Sequence, residues 1–243
     1  MKLNYEFCYG TFLRRPNRFI AYIDVSGSEV ISHVPNTGRL RELLIPGAEV
    51  LLSYHPSPLR KTEYELRMVK KEGHWVSIDS QLPNLLAHEA IANDVITELT
   101  GYSGIRREVV YQNSRFDLQL IAPSGYPKDH NSMAGGSEQV CFVEVKGVTL
   151  EREGWSYFPD APTERGRKHI DELIHAVQHG HRAALLFVIQ TEKPRGFSPN
   201  AVTDPAFAEK VKLAYQSGVE ILAYRCKVSP EEVTIMDKLP VIL

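Results

Sequence analysis

Cysteine is scarce in this chain of 243 residues: Cys8, Cys141 and Cys226 stand far apart and form no CxxC pair. An odd, scattered set of thiols fits a reducing compartment and argues against a zinc ribbon. Long apolar runs are missing too. The amino-terminal stretch MKLNYEFCYGTFLRR has no continuous apolar core of signal-peptide length, and the run Ala183 to Ile189 is far too short to cross a bilayer. A cytoplasmic protein with no membrane partner is the expectation. Charge of one sign is also lacking, at 28 Lys+Arg against 30 Asp+Glu. Residues 1–79 are slightly basic, with 11 against 9, and the remainder acidic, with 17 against 21. No basic excess announces nucleic acid, although a local basic groove would be invisible in such totals.

What is present divides near residue 79. Up to that point short β-like runs alternate with turns: FIAYIDV (19–25), EVISHV (29–34), EVLLSYH (49–55), YELRMV (64–69) and HWVSI (74–78), with the turn PNTGR at 35–39. That density of strands predicts a small OB-like barrel over 1–79. From 80 to 243 helix and strand alternate. Leu85, Ala92, Val95, Ile96 and Leu99 mark a helical stripe ending at Gly101, followed by strands REVVYQ (107–112) and RFDLQLIA (115–122). The polar stretch 123–138 reads as a mobile hairpin loop leading into QVCFVEVKGVTL (139–150). Ile170, Leu173, Ile174 and Val177 predict a helix after Pro162, and AALLFVIQ (183–190) a strand. A helix capped by Asp204 with Pro205 in its first turn then delivers VEILAYRC (219–226). Helices between the later strands imply parallel pairs and an α/β sandwich.

In the strand around 144, Glu144 and Lys146 share a face with Phe142, while Cys141, Val143 and Val145 take the other. An E-x-K pair arises by chance about once per 250–300 residues, so alone it reads as a same-face ion pair. Its surroundings add weight. Phe116, Leu118 and Leu120 alternate with Arg115, Asp117 and Gln119, which puts Asp117 on a polar face that a hairpin partner would bring beside Glu144. Glu89 falls within roughly 60° of Leu85, Ala92 and Ile96 on the predicted stripe, where it is either a carboxylate in need of a cation or a helix-edge glutamate covering apolar surface. Asp117, Glu144 and the Val145 carbonyl, with Glu89 completing a second position, would suit a hard cation such as Mg²⁺ or Mn²⁺. Lys146 would orient or deprotonate the attacking water. Glu89, Asp117, Glu144 and Lys146 are the candidate catalytic set for phosphodiester hydrolysis.

The order D-(26 residues)-E-V-K, in a helix, three-strand, helix, strand frame, resembles the PD-(D/E)xK nuclease superfamily. Over nearly its full length the chain also resembles the sugar fermentation stimulation protein A family. That match is carried by PNTGR, NLLAHEAI (84–91), ELTGYSG (98–104), SRFDLQL (114–120), FVEVKGVTL (142–150), YFPDAPTERGRKHIDEL (157–173), GFSP (196–199), GVEILAY (218–224) and LPVIL (239–243). FPDAPTERGRKH is the most specific of these. The resemblance implies an α/β protein with an all-β N-terminal domain: an OB-like barrel joined to a PD-(D/E)xK nuclease-type domain. It further implies DNA binding and a metal-dependent nuclease activity on DNA or RNA. It also suggests roles for Asp160, Thr163, Glu164, Arg165, Gly166 and His169.

Those residues crowd a helix start, which either offers N–H groups, Arg165 and Lys168 to a phosphate or is plainly capped by Asp160. Thr163, Arg165, Lys168 and His169 are candidate nucleic-acid contacts, as is Arg115 beside Asp117. On the barrel the candidates are Arg14, Arg15 and Arg18 in one turn and Asn36, Thr37, Gly38 and Arg39 in another, where glycine lets a ligand approach the backbone. The interleaved aromatics Tyr5, Phe7, Tyr9, Phe12, Phe19 and Tyr22 either stack bases or, for half or more of them, fill the barrel. His175 and His179, four apart, read as a solvated face. A non-catalytic DNA-binding regulator of sugar metabolism genes is the rival reading, and a small-ligand protein with a structural cation the third. DNA and/or RNA is the expected partner, with a homodimer left open.

Overall fold

A computed structural model describes residues 1–56, 61–112, 114–123 and 140–243. The expected loop over 123–138 lies, apart from Pro123, outside the described residues.

Six strands build the first unit: β1 (Glu6–Arg14), β2 (Ile20–Val25), β3 (Ser28–His33), β4 (Glu49–Tyr54), β5 (Tyr64–Lys71) and β6 (His74–Ser77). They run in the order β3-β2-β1-β4-β5-β6, and a parallel pairing of β3 with β5, Ser32 opposite Tyr64, closes the first five into a barrel. The β2–β3 hairpin turns on Ser26 and Gly27, both at positive φ, with the Asp24 carboxylate accepting the Gly27 N–H. Phe12, Ala21, Ile23, Val34, Val50, Leu52, Leu66 and Val69 fill the interior. The sequence pattern had no strand at β1, whose alternation is interrupted by Gly10. A Cβ there would lie 2.5 Å from Ile23 Cγ2, so the glycine is what lets β1 and β2 close on each other.

The second unit begins with α1 (Leu82–Ala92) and continues β7 (Gly104–Tyr111), β8 (Ser114–Ile121), β9 (Val140–Val148), β10 (Leu150–Arg152), β11 (Trp155–Phe158) and α2 (Glu164–Gln178). Then follow β12 (Arg182–Ile189), β13 (Gly196–Pro199), α3 (Pro205–Gln216), β14 (Glu220–Val228) and β15 (Val233–Lys238). The main sheet has the order β15-β14-β12-β9-β8-β7, with β9, β12 and β14 parallel and the outer strands antiparallel. A side sheet, β10-β11-β13, was not foreseen. One face of the main sheet packs on α1 through Leu86, Ala90, Val143, Val145 and Leu186. The other packs on α2 and α3 through Phe142, Ile170, Leu173, Phe187, Phe207 and Val211. The fold class is therefore the expected one, an OB-like barrel followed by a mixed α/β domain.

The first helix departs from its predicted stripe. It ends at Ala92 with Asn93 as cap, Asp94 takes φ +56, and only a 3-10 turn, Thr97–Leu99, follows. Its buried face is Leu82, Leu86, Ala87, Ala90 and Ile91, while Leu85 is 36% exposed. The expected stripe joined Leu85 to residues beyond a break, which rotated the inferred face by about one residue, 100°.

Candidate functional site

The site forms where β8 peels away from β9. Their ladder runs from Ile121 opposite Val140 to Leu118 opposite Val143 and ends there. One step further on, the Asp117 carboxylate, not a strand carbonyl, accepts the Val145 N–H at 2.8 Å. On the neighbouring strand Glu108 takes φ +55 between the pairs Arg107–Leu118 and Val109–Phe116, so β7 kinks at the level of Asp117. The other Asp117 oxygen accepts a 2.7 Å hydrogen bond from the Asn84 amide on α1.

Glu144 lies beside Asp117 on β9 and is 2% exposed. Its Oε1 accepts from Lys146 Nζ at 2.5 Å and from His169 Nδ1 of α2. Its Oε2 is buried with no hydrogen-bond partner among the described residues. Burial would push the Glu144 carboxyl up, but the hydrogen bond from His169 and the charge of Lys146 outweigh it and hold the group below its ordinary range. Asp117 goes the other way. Burial and the Glu144 charge push it up to about 6, against the Val145 N–H, Lys146 and Asn84. A buried and a half-buried carboxylate side by side, one with an oxygen that has no partner among the described residues and the other driven toward its neutral form, make a donor set that fits a divalent cation.

Asp117, Glu144 and Lys146 thus converge. Glu89 does not join them: five residues from Asn84, it turns about 140° away around α1 and pairs with the Met1 amine at 2.9 Å, 42% exposed. His169, expected as a substrate contact, is buried against Glu144, with Arg165 Nε 3.4 Å from its other ring nitrogen. Arg165 and Lys168 themselves are exposed on the first turns of α2. The cap of α2 is Thr163, which accepts the Gly166 N–H, while Asp160 reaches across to the barrel and accepts the Arg39 N–H at 2.6 Å.

The barrel arginines separate. Arg14 is committed to Glu29 by two hydrogen bonds of 2.6 and 2.8 Å and stacks on Tyr22. Arg15 donates to the carbonyls of Arg18, Asn36, Gly38 and Arg39, so it holds the turn and is not open to a phosphate. Arg115 pairs with Glu108 at 2.9 Å. Asn36 is also structural, donating to the Ile78 carbonyl and accepting from Gly38 N–H. Of the aromatics, Phe12 is core, whereas Tyr9 and Phe19 are each 55% exposed. Of the histidines, His175 packs on Tyr111 with its Nδ1 3.1 Å from the hydroxyl, and is not simply a solvated face.

Arg18, Asn36, Thr37, Gly38 and Arg39 face Asp160 and Thr163 across a half-open cavity of about 450 Å³ between the two units. Its floor includes Gly147, the residue after Lys146, and Gln190. Sequence reasoning missed Asn84 and Gln190. Each is a lone polar residue in an apolar context, and the only available signal was Asn84 heading the NLLAHEAI match.

The fold is thus an OB-like barrel followed by a mixed α/β domain in which Asp117, Glu144 and Lys146 come together where β8 leaves β9. Residues 81–232 match the family model of the sugar fermentation stimulation protein RE domain, and 13–78 that of the SfsA N-terminal OB domain. The chain belongs to the sugar fermentation stimulation protein family. A Clostridium perfringens (strain SM101) sugar fermentation stimulation protein homolog is 45% identical over all of both chains. A homolog from Caldanaerobacter subterraneus subsp. tengcongensis is 42% identical over 96% of each. The solved structure of Pyrococcus furiosus SfsA in complex with Ca²⁺ is similar at TM-score 0.85 and 29% identity, covering 100% of this chain and 98% of that one.

Proposed function

We propose that this protein is a metal-dependent phosphodiesterase acting on DNA or RNA, with Asp117 and Glu144 holding Mg²⁺ or Mn²⁺. The carrying observation is the buried, unpartnered Oε2 of Glu144 beside an Asp117 whose ionised form is disfavoured. The Ca²⁺ complex of the Pyrococcus furiosus relative supports it. A bound divalent ion supplies stabilisation for charge developing on the scissile phosphate. The chain's own groups do the positioning. Lys146 and His169 occupy one oxygen of Glu144 and leave the other for the ion. Asn84 and the Val145 N–H fix the plane of the Asp117 carboxylate. Lys146, 14% exposed, is the cation of the set with access to a substrate, where its ammonium steadies a phosphate oxygen and orients the attacking water.

The test is cleavage of single- and double-stranded DNA and of RNA by the purified full chain with Mg²⁺ or Mn²⁺. Asp117→Ala and Lys146→Ala should each lower the rate by at least about 100-fold while binding, read by fluorescence anisotropy, persists. Unchanged cutting in both variants would refute the mechanism. Salt-sensitive, sequence-selective binding with no cleavage under either metal would instead establish the regulator reading.

A further inference from the structure

We infer that the cavity between the barrel turn Asn36–Leu40 and the segment Tyr157–Thr163 is a site for one nucleotide unit of a single strand, with Gln190 as its recognition residue. The inference rests on the nucleic-acid reading above and deepens it. At about 450 Å³ the cavity lies at the small end of ligand sites, with room for one nucleotide. A base whose edge meets Gln190 is one that is single-stranded or extruded from its stack.

The walls carry both halves of the recognition. Arg18 and Arg39 line the opening, and neither guanidinium has a hydrogen-bond or ion-pair partner among the described residues. They are the cations available for a phosphate. Asp160 also lines the cavity, with one of its two oxygens accepting the Arg39 N–H, and it sets a negative charge on the wall opposite the two guanidinium groups. At the floor Gln190 is 1% exposed, and its Oε1 is buried with no partner among the described residues. A buried amide oxygen without a donor is costly, and a base edge supplies what it lacks. The soft terminal torsion of glutamine lets either end of the amide turn to the ligand. Gly147 forms the adjoining floor and has no room for more. A Cβ there would lie 3.2 Å from Gln190 Nε2. Because Gly147 follows Lys146, the floor of the cavity is built by the same strand that carries the carboxylate site.

The probe is isothermal titration calorimetry of the full chain in EDTA with thymidine monophosphate, deoxyadenosine monophosphate, their nucleosides and inorganic phosphate. At least one nucleotide should bind roughly tenfold or more tighter than either its nucleoside or phosphate. Gln190→Leu, close in size and without the amide, should cost nucleotide binding about tenfold and leave phosphate binding unchanged. Arg18→Ala should weaken both. Nucleotide binding no tighter than phosphate binding in the wild type overturns the inference, even if Gln190→Leu fails to fold. Without metal the titration is independent of catalysis. A failed titration with Lys146-dependent cleavage intact would sink the nucleotide site alone, and the converse would sink the nuclease reading alone.

Discussion

Asp117 is held in the metal-free protein at a cost that a cation would remove. Its carboxyl has an ordinary value of 3.8 and a folded value of about 6, so between those limits the folded state carries the extra proton. Its contribution to stability therefore falls as pH rises from about 4 to about 6 and then levels off. Glu144 has the opposite sign: its depressed value stabilises the fold above the ordinary carboxylate range, and that support is lost as pH falls. Asp117→Asn should still accept the Val145 N–H and, with the Asn84 amide turned over to accept from the new NH₂, relieve about 2–3 kcal/mol of charge burial at pH 8. In EDTA its Tm should exceed that of the wild type by several degrees at pH 8, and the two should converge near pH 4. Added Mn²⁺ should raise the wild-type Tm and leave the variant unmoved. A variant less stable than wild type at pH 8 in EDTA would show that burial of Asp117 is not the strained element.

At the scale of elements, the site depends on how closely α1 lies against β9. Gly147 is the contact point, since a Cβ there would stand 2.7 Å from Pro83 Cγ, one residue before Asn84. Gly147→Ala should push α1 outward, cost about 1–3 kcal/mol in urea unfolding and loosen the Asn84 hold on Asp117. Cleavage falling with no change in substrate binding is the accompanying signature. Unaltered stability would mean the helix gives way freely. The strands that carry the site were legible because apolar alternation survives around Asp117 and Glu144, and hairpin geometry then places the two acids together. The helix was less legible. Its pattern of apolar residues continues past Asn93, and nothing in periodicity reveals that Asp94 turns left-handed, so Glu89 was aimed at the sheet when it faces the amino terminus. His169 was legible only as part of a motif. That it reaches back to a strand 25 residues earlier is set by the packing of α2 across β9, which no local pattern encodes.

The whole molecule is stitched across its two units. Leu51 and Met68 of the barrel belong to the same apolar cluster as Leu86, Val143 and Leu186. Lys71 donates to the Glu151 carboxylate at 2.6 Å, Ser77 N–H to the Gln190 carbonyl at 3.0 Å, and Asp160 accepts from Arg39. Calorimetry should accordingly show one cooperative unfolding transition, and Met68→Ala should shift all of it downward by about 2–5 kcal/mol of stability. Two resolved peaks, with only the first moved, would show that the barrel melts by itself. No helix among the described residues is long and apolar enough to cross a membrane. The kink at Glu108 reaches beyond the site it opens. β7 is one of the two edge strands of the main sheet, and a straight, bare strand there would invite a second chain to add on by backbone pairing. Left-handed Glu108, preceded by exposed Arg106 and Arg107, breaks that template and adds charge on one side of it. The left-handed residue at the level of Asp117 thus also guards this edge of the sheet against edge-to-edge aggregation.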